Sequence, residues 1–121
     1  MNFIIPLVIY PFDVMFSLGE TDEQLKKQFK KYNIEESNYF EYELQKGRCS
    51  QFKTGQVIVR LKHKPKTIND LACLQHEIYH AVNYILSFIG IKYSDDSEEA
   101  YAYLITYLTE QCYKKLKVSI C

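Results

Sequence analysis

The stretch from Thr67 to Gly90 constrains this chain more than any other. Thr67 stands three residues ahead of Asp70, a pairing in which hydroxyl and carboxylate satisfy free amides of a first helical turn, and Gly90 supplies a C-terminal stop. Between them Leu71, Leu74, Ile78, Val82, Ile85 and Ile89 recur three and four residues apart. At about 100° per residue they form one continuous apolar stripe, which predicts a single long helix. Such a stripe needs a sheet or another helix to cover it.

The rest of the sequence supplies the cover. Residues 3–18 read as extended structure, with Phe12, Val14 and Phe16 alternating with Asp13, Met15 and Ser17, and with Pro6 and Pro11 placing it at an edge or a bend. Thr21-Asp22-Glu23-Gln24 is a capping box, and Leu25, Phe29 and Tyr32 follow on one side of a short helix that ends near Tyr32. Two further strands are expected. Phe40, Tyr42 and Leu44 alternate with glutamates, and Val57, Val59 and Leu61 alternate with Ile58, Arg60 and Lys62; residues 47–55 join them. A last helix starts within Ser94-Asp95-Asp96-Ser97-Glu98-Glu99, where acids favour the positive end of the dipole, and runs to about Lys117. Strands first and long helices last predict an α+β fold: a small, mostly antiparallel sheet with a short N-terminal helix, packed on two long C-terminal helices.

With 121 residues and no linker or repeat, one domain over residues 1–121 is expected. Fifteen basic and fifteen acidic side chains cancel, which argues against a globally basic nucleic-acid binder. The apolar opening, residues 3–10, has no preceding Lys or Arg and no small-residue cleavage site, and it is shorter than the roughly 20 residues of a membrane helix. A cytoplasmic chain without membrane contact is expected. Cys49, Cys73, Cys112 and Cys121 form no C-x-x-C pair, so reduced thiols are expected.

The long helix contains His76-Glu77-Ile78-Tyr79-His80, an H-E-x-x-H pattern. Histidines at i and i+4 project one turn apart on one face, where both imidazoles reach one zinc ion and the intervening Glu addresses its bound water. His76 and His80 fall opposite the apolar stripe, with Cys73, Glu77 and Tyr84 around them, so they are not core histidines. A catalytic zinc takes three protein ligands and keeps a position for water. Glu98 and Glu99, in the first turn of the last helix, are the candidates for the third.

His76-Glu77-Ile78-Tyr79-His80-Ala81 followed by Glu99-Ala100-Tyr101-Ala102-Tyr103-Leu104 resembles the gluzincins, and more narrowly the small phage and prophage metallopeptidase-like proteins. The resemblance spans about residues 56–110. It implies a minimal zincin-like fold, zinc as the cofactor, a peptide or protein substrate, and Glu99 as the third ligand, which the helix phase allows by setting Glu99 opposite Tyr101, Leu104, Ile105, Leu108 and Cys112. Many gluzincins place an Asp four residues after that Glu; here the position is Tyr103, whose hydroxyl is suited to hold an imidazole or to donate to an oxyanion. The strand before the zinc helix, residues 56–62, would be the edge strand that pairs with substrate.

The expected function is therefore Glu-assisted hydrolysis of peptide bonds, with Glu77 as base, Tyr103 assisting, and His76, His80 and Glu99 on zinc. A non-catalytic zincin-like binding protein is the first alternative. Residues 46–66 carry Lys46, Arg48, Lys53, Arg60, Lys62, Lys64 and Lys66 without one acid, which makes a nucleic-acid-binding regulatory module the second.

Overall fold

The computed structural model describes residues 1–36 and 38–119; Cys121 lies outside the described residues. The element order is β1 (Asn2–Pro6), β2 (Asp13–Leu18), α1 (Asp22–Lys31), β3 (Gly47–Gln51), β4 (Val57–Leu61), α2 (Ile68–Phe88) and α3 (Glu98–Leu116). The class is α+β, and the four strands form one sheet in the order β1-β2-β4-β3. β1 pairs antiparallel with β2, and β3 antiparallel with β4, while β2 and β4 run parallel at the centre.

Both faces of the sheet are covered. Val14, Phe16 and Leu18 of β2 and Val57, Val59 and Leu61 of β4 meet Leu74, Ile78, Val82 and Ile85 of α2 and Tyr101, Leu104, Leu108 and Cys112 of α3. The alternate residues Met15 and Ile58 turn to the other face, where Leu25 and Phe29 of α1 pack with Tyr39 and Phe52. This is the two-residue period of a strand read out on both sides. The expected helical stripes are the buried ones; Leu71 and Ile105 are half-buried, and Ile89 reaches the surface.

The capping boxes of α1 and α2 form as read, with Gln24 N–H donating to Thr21 Oγ1 and Asp70 N–H donating to Thr67 Oγ1. Gly90 follows α2 with φ +86°, a conformation that favours glycine. α3 lies along α2, held by Gln75 Nε2 donating to Thr109 Oγ1 at 3.0 Å and by the Tyr101 hydroxyl donating to the Ile91 carbonyl at 2.9 Å.

Two strand expectations need correction. Residues 40–44 are not a strand: Tyr39–Glu41 is a 3-10 turn, because Phe40 and Tyr39 pack at a tilt against Phe29 in an aromatic cluster with Phe52. The strand lies instead at Gly47–Gln51, inside the stretch read as a connection. β4 is also not an edge. All five of its residues are buried between β2 and β3, which leaves β3 as the open edge beside α2. Cys49, Cys73 and Cys112 are free thiols. Among the described residues no helix is long and apolar enough to cross a membrane.

Candidate metal centre

His76 and His80 stand one turn apart on α2, on the side away from the sheet core, as the helix phase requires. Their Nε2 atoms are 3.2 Å apart, with the rings at 77° to one another. A tetrahedral ion about 2.0–2.1 Å from each nitrogen sets two ligand atoms about 3.3–3.4 Å apart, so a spacing that here serves a hydrogen bond between the rings is also compatible with two ligands on one ion. Glu77 Oε1 is 3.9 Å from His76 Nε2. The three side chains offer ligand atoms that all lie within 4.8 Å of one another, a group able to hold a metal ion.

Glu77 is the unusual member. Its residue is only 7% exposed, and Oε2 is buried with no hydrogen-bond partner among the described residues. Burial of a carboxylate disfavours its charge, and desolvation accordingly raises the Glu77 pKa, opposed by the nearby His76 and His80 imidazoles. The half-buried thiol of Cys49, on β3, is itself pushed up by burial and, less, by the Glu77 charge. An open cleft of about 430 Å³ joins these elements, lined by Gln45, Lys46, Gly47, Ala72, Cys73, His76 and Glu77.

Gly47 fixes how closely β3 approaches. A Cβ there would stand 2.8 Å from Leu61 Cδ2 and 3.3 Å from Glu77 Cγ. A side chain at this position would crowd both, so the bare backbone of the edge strand lies directly against the stem of Glu77.

The other expected site residues are elsewhere. Glu98 and Glu99 are exposed in the first turn of α3 and do not belong to the converging group. Thr109 is level with Gln75. Glu99 therefore stands about 15 Å along α3 from that level, and His80 about 7.5 Å along α2 in the same direction. Tyr103 is 71% exposed and lines a different groove, with Leu7, Val8, Ile9 and Tyr10 from the β1–β2 turn and Ala100, Leu104 and Tyr107 of its own helix. Its phase on α3 points it at that turn. Tyr84 does not line the cleft either, although its carbonyl accepts from Gln51 Nε2 and ties α2 to β3. Sequence reasoning missed Gln45 and Gly47 and singled out Lys46 only as part of the basic run; Gly47 opens β3, a strand with no alternating pattern, and Gln45 and Lys46 lie just before it.

Comparison with protein-family models, with curated proteins and with solved structures finds no match.

Proposed function

We propose that this chain is a zinc-dependent peptidase in which His76 and His80 hold the ion and Glu77 is the general base. The observation that carries this reading is the Glu77 carboxylate: buried, with one oxygen unpartnered, beside two histidine nitrogens at ligand spacing and facing an open cleft. When bound, zinc supplies Lewis acidity that polarises a carbonyl and acidifies water. Glu77 takes the proton of the attacking water and returns it to the leaving amine, and its raised proton affinity suits both tasks. β3, the open edge beside the cleft, offers its free amides and carbonyls to an extended peptide by strand addition.

Glu99 is the proposed third ligand, on the strength of the motif resemblance; reaching the histidines requires the first turn of α3 to shift toward His80. Hydrolysis of a mixed peptide library tests the reading. Wild type loaded with zinc is expected to cleave, and Glu77→Gln to keep one ion per chain while losing cleavage by about 10²–10⁴-fold, the range of general-base effects. Activity retained in Glu77→Gln would defeat its role as base.

A second reading is a metal-binding protein without catalysis. It is favoured by the converging group itself, which contains two histidines and Glu77 but not Glu99. Stoichiometric zinc without cleavage of any library peptide would establish it.

A further inference from the structure

The fold sorts the basic run of residues 46–66 into two populations. Arg60 is buried, with its guanidinium 2.8 Å from Asp22, and Arg48 stacks 4.2 Å from the Tyr39 ring centroid while donating to the Tyr39 carbonyl at 3.0 Å. Both arginines join the sheet to the α1 layer. Lys46 is placed differently. It lines the cleft with His76 and Glu77, is exposed, and forms no ion pair among the described residues.

Its neighbours add charge of the same sign. The Lys46 carbonyl accepts from Lys62 N–H at 3.0 Å, and Lys66 N–H donates to Asp70 at 2.9 Å in the first turn of α2. The backbone thus sets exposed Lys62 beside Lys46 and exposed Lys66 at the start of α2, while Lys46 alone of the three lines the cleft. The Asp70 carboxylate is bonded to the Lys66 and Thr67 amides and held below the usual range chiefly by them, with a smaller contribution from the Lys46 charge.

We propose that the Lys46 end of the cleft recognises carboxylate side chains, so that the site takes acidic peptides and Lys46 is the residue that selects them. The proposal rests on the peptide reading of the cleft given above. An acidic peptide is favoured over a nucleic-acid backbone because β3 borders the cleft with its outer edge unpaired, and its amides and carbonyls match an extended main chain. A phosphodiester chain has no amide to offer in return.

The test uses zinc-loaded full-length protein carrying Glu77→Gln, so that bound peptide is not consumed. The probes are fluorescein-labelled octapeptides alternating Ala with Glu or Ala with Lys, and a labelled single-stranded octanucleotide, each titrated by fluorescence anisotropy. The Glu peptide is expected to bind about fivefold or more tighter than the Lys peptide, the upper range for an exposed ion pair. Adding Lys46→Glu is expected to abolish or invert that preference; its side chain is exposed and forms no ion pair among the described residues. Equal binding of the two peptides, a preference untouched by Lys46→Glu, no peptide binding at all, or tighter binding of the octanucleotide would each overturn the proposal. Because binding is read rather than turnover, an acidic preference in a protein that never cleaves would leave this inference standing and defeat the peptidase reading alone.

Discussion

Glu77→Gln is expected to stabilise the metal-free protein near neutral pH, even as it removes activity. The side chain sits 7% exposed with Oε2 unpartnered, and the amide keeps its size while removing its charge. The amide still leaves a polar atom there without a partner, so what is relieved is only the extra cost of desolvating a charge, beyond the about 1–3 kcal/mol of any unsatisfied buried polar group. The two imidazoles favour the charged form and offset part of this, so the gain is about 1 kcal/mol, or about 3–5 °C in Tm for a chain this size. The sign of the pH dependence follows from the raised pKa. The unfolded chain releases this proton near the ordinary 4.5, the folded protein only at higher pH, so between the two the folded state binds more protons and loses stability as pH rises. Below pH 4.5 wild type is protonated in both states and should match the Gln variant; the gap opens as pH rises through the folded value. Differential scanning calorimetry in chelator from pH 4 to 7 measures it. A wild type more stable than Glu77→Gln at pH 7, or a gap independent of pH, would refute the reasoning.

Gly47→Ala pushes a methyl group against Leu61 and Glu77, so it is expected to cost about 1–3 kcal/mol in chemical denaturation and to lower kcat at least tenfold with zinc stoichiometry unchanged. An unchanged kcat would mean that the approach of β3 does not position the carboxylate. Glu99→Ala is expected to weaken zinc at least tenfold by calorimetric titration, while leaving the Tm in chelator within a degree, since its exposed side chain has no partner among the described residues. Unaltered affinity would remove Glu99 from the ligand set and leave a two-histidine site.

The helices were legible because their signals are local. Thr67 with Asp70, Thr21 with Gln24, and the stripe from Leu74 to Ile85 need no knowledge of distant chain, and the histidine pair inherits its geometry from α2. The strands were harder for opposite reasons. Arg48-Cys49-Ser50-Gln51 lacks alternation because β3 is a half-buried edge, whereas Phe40, Tyr42 and Leu44 alternate within a turn shaped by aromatic packing on Phe29. The near-continuous Val57-Ile58-Val59 run was the sign of a strand covered on both faces rather than an edge. Helix phase told which residues of α3 face outward, but not that Tyr103 would meet the β1–β2 turn. Gly47 meets Glu77, and Lys46 joins the same cleft, only through the packing of β3 on α2, which no local pattern encodes.

The metal content of the purified chain tests the central claim most directly. Elemental analysis of protein prepared without added zinc, beside His76→Ala prepared identically, should give about one zinc per chain for wild type and none for the variant. Metal-free wild type that takes up no zinc when it is supplied, or full zinc in His76→Ala, would contradict the account.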